Sequence, residues 1–127
     1  SALATLEFLG LAERRQELAG ALPYGQQRVL EMGRALATEA RLLLLDEPTA
    51  GMTPHEAETF MEIIRRIRER GLTILLVEHD MNVIMNVCER VSVLHFGQKI
   101  AEGTPAEIQD NEAVIEAYLG RSRFANA

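Results

Sequence analysis

Leu3, Leu6, Leu9 and Leu11 recur at near-helical spacing and give way at Gly10, which predicts a short helix followed by a polar turn over residues 13–17. A loop over residues 20–25 leads into a second helix, about residues 26–38. Its Val29, Leu30, Met32, Gly33, Leu36 and Ala37 would supply the buried stripe. The period then changes. Leu42, Leu43, Leu44 and Leu45 form a continuous apolar run that ends in acid, and its shortness, with Pro48 and Gly51 after it, favours a strand buried on both faces.

Thr53-Pro54-His55-Glu56 reads as a helix start, with Thr53 as N-cap, Pro54 at the first helical position and Glu56 closing a capping box. In the helix that follows, Ala57, Phe60, Met61, Ile64 and Ile67 mark one face, Arg65, Arg66, Arg68 and Arg70 the other, and Gly71 stops it. Residues 72–77 predict a second buried strand, 81–88 a helix, Val91–His95 a third strand, and Gly97 a turn into residues 99–102. Thr104-Pro105-Ala106-Glu107 repeats the helix start, and a last helical segment over residues 113–119 stops at Gly120. Strands separated by helices predict an α/β fold built on a mainly parallel sheet with flanking helices. No solenoid repeat or low-complexity linker interrupts it.

A length of 127 residues suits one hydrophobic core. With 19 acidic residues against 13 basic ones, the chain has no general attraction for nucleic-acid phosphates. The only cysteine, Cys88, lies among apolar residues and reads as core, which fits a reducing, cytoplasmic setting. No apolar run approaches the roughly 20 residues that span a bilayer, and no signal-peptide pattern opens the chain, so a membrane role would be peripheral. The opening Ser1-Ala2-Leu3 lacks an initiator methionine and enters a periodic stretch at once, as a piece of a longer protein would.

The chemistry concentrates at strand ends. A buried strand that delivers Asp46 and Glu47 to its C-terminal end places two carboxylates where α/β folds bind ligands. In phosphoryl transfer, Asp46 would hold Mg²⁺ through its water shell and Glu47 would orient and deprotonate the attacking water. An acidic pair can also simply end a strand. The second element is Leu22, Pro23, Tyr24, Gly25 and Gln26, a glycine-bearing loop at the mouth of a helix, where free N–H groups and the positive dipole end suit a phosphate. Its bland counterpart is an ordinary proline-containing helix entry. The third is His79, directly after the second strand, at the sheet edge where Asp46 and Glu47 should emerge. His55 and His95 read as structural.

These elements in this order resemble part of the nucleotide-binding domain of ABC transporters, its C-terminal half, over residues 3–120. The resemblance implies a P-loop NTPase-type α/β sheet with part of the helical subdomain: residues 1–40 as helical subdomain with signature loop and helix, 41–120 as ATPase core, and 121–127 as a tail. Leu22, Pro23, Tyr24, Gly25 and Gln26 resemble the signature motif, which reaches ATP bound by the opposite subunit. Residues 42–46 resemble the Walker B strand, Glu47 falls on the catalytic glutamate and His79 on the switch histidine. Ala50, Gly51, Met52 and Thr53 take the place of the D-loop at the dimer interface. The variant Leu-Pro-Tyr-Gly-Gln-Gln-Arg and the ending Glu102-Gly103-Thr104-Pro105 are similar to the ATPase subunits of branched-chain amino acid importers.

The resemblance further implies ATP and Mg²⁺, a second ATPase subunit, integral membrane permease subunits, and a cytoplasmic place on the inner face of the cell membrane. Two substitutions depart from the pattern: Pro23 stands for the usual serine, and Met52 and Thr53 for Leu-Asp. A Gly-x-x-x-x-Gly-Lys-Ser/Thr stretch occurs nowhere in these residues, so the segment by itself should not hydrolyse ATP. A truncated binding module that offers the signature face to a complete ATPase is the alternative. An ABC ATPase acting on DNA fits less well, because only one helix separates signature and Walker B. In the resembled fold the P-loop strand lies between the strands at residues 72–77 and Val91–His95. Its absence should leave a gap that either closes directly or draws copies of the chain together.

Overall fold

The computed structural model describes residues 1–119 and divides the chain into two compact units, Ser1–His79 and Asp80 onward. The first unit opens with α1, Ala2–Phe8, capped by Ser1, whose Oγ accepts from the Ala4 N–H at 3.1 Å. Two single 3-10 turns lead to α2, Tyr24–Leu36. The helix begins two residues before the expected position, so Tyr24 and Gly25 lie within its first turn. Val29, Met32 and Gly33 are buried as the stripe predicts, whereas Ala37 falls just past the helix and is exposed.

Helix α1 finds its partners through this unit. A β-carbon on Gly33 would stand 2.5 Å from Leu9 Cδ1, so the glycine is what lets α1 lie against α2. Phe8, at the end of α1, is covered by two arginines at the end of α3, Pro54–Glu69: the guanidinium carbons of Arg66 and of the C-cap Arg70 stand 4.7 and 3.5 Å from its ring centroid. Part of the arginine face therefore packs as well as faces solvent. The opposite face buries Phe60, Met61, Ile63, Ile64 and Ile67. The capping box forms as read, with the Thr53 hydroxyl accepting from Glu56 N–H and the Glu56 carboxylate accepting from Thr53 N–H.

Strand β1, Leu42–Asp46, pairs in parallel with β2, Thr73–Val77, in a register that sets Leu42 opposite Thr73 and Asp46 opposite Val77. The expectation of strands buried on both faces is corrected. Leu43 is 4% exposed, but Leu42 and Leu44 are 53% and 64% exposed, and Leu75 and Val77 lie open in the same way. A parallel sheet needs cover on both faces, and among the described residues one face lacks it.

The second unit starts with α4, Met81–Val87, capped by Asp80, and Cys88 at its end is half-buried. Strands β3, Val91–His95, and β4, Gln98–Gly103, form an antiparallel hairpin. Its turn uses positive φ at both Phe96 (+49°) and Gly97 (+76°), the pairing that a two-residue hairpin turn requires. A second capping box, Thr104 with Glu107, opens α5, Pro105–Asp110, and α6, Glu112–Val114, runs on into a π-helical segment at Ile115–Leu119. The Tyr118 hydroxyl donates to the Leu94 carbonyl. Val83, Ile84, Val87, Ile108 and Val114 are the buried apolar residues. Gly120 and the expected tail lie outside the described residues.

Among the described residues β1 pairs with β2 in parallel and β3 pairs with β4 antiparallel.

Candidate functional site

The parallel register carries the acidic pair to the same end as His79. Asp46 is the last residue of β1, and the Glu47 N–H still donates to the Val77 carbonyl at 2.7 Å, extending the ladder by one bond. At Glu47 the chain turns with φ +43°, a left-handed conformation uncommon for a residue with a side chain. The Ala50 N–H donates to the Glu47 carbonyl at 3.1 Å and closes the turn. The kink brings Glu47 Oε1 to 3.2 Å from Nδ1 of His79. Both side chains remain open to solvent, 51% exposed for Glu47 and 70% for His79, so a ligand can reach them. Asp46 is exposed beside them.

A residue singled out by no motif, Glu78, holds this arrangement. The Glu78 side chain is only 1% exposed. Its Oε2 accepts from the Thr49 hydroxyl at 2.9 Å, and its Oε1 accepts from the His79 N–H at 3.1 Å. The signal was present in the period: Ile74, Leu76 and Glu78 occupy the alternate, less exposed positions of β2 and its extension, so an acid sits where an apolar residue belongs. Glu56, read from the sequence only as closing a capping box, also has its Oε2 buried against Gly25.

The glycine-bearing loop lies in the same unit. Leu22 is buried, Pro23 and Tyr24 are exposed, Gly25 is buried and Gln26 is half-buried. Gln27 pins the loop by donating from Nε2 to the Leu22 carbonyl at 2.8 Å. No side chain caps the N-terminus of α2, which leaves its first N–H groups to an incoming acceptor. Gly25 has a further reason to be glycine, since a β-carbon there would stand 2.3 Å from Glu56 Oε2. The loop is also tied to the segment Ala50, Gly51, Met52 and Thr53: the Tyr24 hydroxyl donates to the Ala50 carbonyl at 3.1 Å, and the ring borders Gly51, where φ is +80°. Sequence order alone gave no hint of this cross-link.

Two family models match separate parts of this chain. A family model described as ABC transporter matches residues 1–50, and one described as branched-chain amino acid ATP-binding cassette transporter matches residues 98–123. A solved structure of MJ1267, an ATP-binding cassette of an ABC transporter in its ADP conformation, superposes with a TM-score of 0.86 at 33% identity, covering 94% of this chain and 48% of that one. The chain belongs to the ATP-binding domains of ABC transporters.

Within that class, relatives 43–44% identical to this chain are named for branched-chain amino acid transport. The high-affinity branched-chain amino acid transport ATP-binding protein BraF of Pseudomonas aeruginosa is 44% identical over 118 residues, 92% of this chain and 46% of the relative. LivG of Salmonella typhimurium, which bears the same description, matches to the same extent. The chain spans about half the length of the curated relatives it matches.

Proposed function

We propose that this chain is the γ-phosphate end of an ABC ATPase subunit that hydrolyses ATP to drive import of branched-chain amino acids. The observation that carries the proposal is the 3.2 Å contact between Glu47 and His79 across the ends of β1 and β2. In this reading Glu47 orients the attacking water and takes its proton, and the outward nitrogen of His79 steadies the γ-phosphate. Leu22, Pro23, Tyr24, Gly25 and Gln26 offer the uncapped N-terminus of α2 to ATP held by a second ATPase subunit, and Ala50, Gly51, Met52 and Thr53 line the interface between the two. Residues 1–40 belong to the helical subdomain, 41–120 to the ATPase core and 121–127 to a tail.

The donor set fits Mg²⁺. No group of three or more metal-ligating side chains exists among the described residues. Mg²⁺ asks for less, being held by one or two carboxylates together with phosphate oxygens and retained water. Asp46 is the residue that would hold it, and the ion would neutralise charge on the phosphates. Integral permease subunits are the further partners. No helix among the described residues is long and apolar enough to cross a membrane, and the importer reading implies a peripheral position on the cytoplasmic face. The net charge of −6 argues against nucleic acid.

The second reading, a non-catalytic module presenting the signature face to a complete ATPase, draws on the absence of a P-loop sequence in these residues. One experiment separates the two. The chain is fused to the part of BraF that it does not match and ATP turnover is measured, with the chain alone as control. Turnover by the fusion, none by the chain alone, and a loss on the order of 10²–10⁴-fold in Glu47→Gln are expected for a positioned general base. A folded fusion whose turnover is indifferent to Glu47→Gln would defeat the assignment.

A further inference from the structure

Glu78 is a buried acid with no part in the reading above, and burying a carboxylate is costly unless it is hydrogen-bonded. Its two oxygens face two different pieces of the site. Oε2 accepts from Thr49, which follows Glu47 on the turn leaving β1, and Oε1 accepts from the backbone N–H of His79 at the end of β2. The same Oε1 stands 3.7 Å from His79 Nδ1, on the ring edge that meets Glu47 Oε1 at 3.2 Å. Thr49 is itself 9% exposed, so the carboxylate bridges two strand ends from beneath while Glu47 and His79 remain open above.

We infer that Glu78 is a positioning residue: through Thr49 and the His79 N–H it fixes the distance between the Glu47 turn and the histidine. It thereby sets the imidazole with Nδ1 toward Glu47 and Nε2 outward. Neither neighbour can do this alone. Glu47 sits on a strained turn and is half-exposed, and the His79 side chain is the more exposed of the pair. The ring orientation matters for phosphate chemistry because an imidazole that gives its Nδ1 proton to a carboxylate has a defined tautomer. Nε2 is then the nitrogen from which a protonated ring donates to a phosphate oxygen. The inference rests on the proposed roles of Glu47 and His79, but the test below reads the ring and not hydrolysis, so the two can fail separately.

The 127-residue chain is labelled with ¹⁵N-histidine and its ring resonances are recorded at a pH where the imidazoles are neutral, with His79→Gln assigning the signal. The wild type is expected to show a single tautomer protonated at Nδ1. Glu78→Val, which keeps strand propensity but removes both acceptors, should give a mixture of tautomers, and Glu78→Gln, whose amide keeps the shape and an acceptor for His79 N–H, should restore the single form. A folded Glu78→Val with the wild-type ring pattern would overturn the inference. So would a Glu78→Gln as disordered in tautomer as the valine variant, since charge and not geometry would then be the cause. Should Glu78→Val not fold, Thr49→Val decides, because it removes the bond that orients Oε2: tautomer mixing supports the inference and an unchanged ring overturns it.

Discussion

Gly25 and Glu56 approach so closely that a β-carbon on the glycine would stand 2.3 Å from the glutamate Oε2, an oxygen already buried without a hydrogen-bond partner. The loop at the mouth of α2 is thus packed against the first turn of α3, and the requirement for glycine comes from within the chain as well as from any ligand outside it. Gly25→Ala should destabilise by about 1–3 kcal/mol through overpacking. In a Glu56→Ala background most of that loss should vanish, which a double-mutant cycle of urea unfolding would register as coupling. Strictly additive losses would place the constraint elsewhere.

Phe8 supplies the contact between α1 and the arginines of α3. Phe8→Leu keeps an apolar side chain but removes the ring face under Arg66 and Arg70. The expected cost is about 0.5–1 kcal/mol for each exposed cation–π contact. It should be insensitive to salt compared with an ion pair, and unfolding midpoints at low and high ionic strength check both the size and the insensitivity. No measurable loss would mean that the stack is incidental.

The hairpin of the second unit has its own acid response. Glu102 accepts from Lys99 Nζ at 2.9 Å, Arg90 Nη2 at 2.9 Å and Ser92 Oγ at 3.1 Å. The Lys99 bond acts most strongly, then Arg90 and Ser92, and together they lower its pKa from 4.5 to about 2. Because the folded value lies below the unfolded one, the contribution to stability is complete above pH 4.5 and fades as pH falls toward about 2. A carboxyl titration followed by NMR should show the low midpoint. Lys99→Met should move it upward, and a midpoint unmoved by that change would remove lysine as the main cause.

Leu42, Leu44, Leu75 and Val77 form an apolar face on a parallel sheet that, among the described residues, has only two strands, and the outer edge of such a sheet is open to further pairing. The isolated chain should therefore self-associate, with an average mass by light scattering that rises with concentration. Leu44→Lys with Leu75→Lys should lower it. A monomer that persists at high concentration with strong amide protection in β2 would show that one chain closes the face for itself.

The helices and strands were legible because each has its own punctuation. Thr53-Pro54 and Thr104-Pro105 announce helix starts through local hydrogen bonds that need no tertiary partner, and both capping boxes form. Burial on both faces of Leu42–Asp46 was misread because four leucines record a cover that these residues do not themselves provide. The chemistry of Asp46, Glu47 and His79 could be read from strand ends, since parallel register alone brings them to one edge. Glu78, Glu56 and the hydroxyl of Tyr24 could not be assigned in the same way. Their partners lie 29, 31 and 26 positions away in the chain, at Thr49, Gly25 and Ala50, and no local rule couples them.

The left-handed turn at Glu47 carries one more implication. In an unbroken strand successive side chains point to opposite faces, so adjacent acids would be divided between the two sides of the sheet. A bend at the second of them ends that alternation and turns a neighbour in sequence into a neighbour of His79. A glycine would adopt this φ without strain, at a gain of about 1 kcal/mol by the usual cost of such a conformation. It would also remove the only carboxylate on the bend. The position least comfortable for a glutamate is thus the one that needs it, and a search for more stable variants of this chain would be drawn toward erasing Glu47.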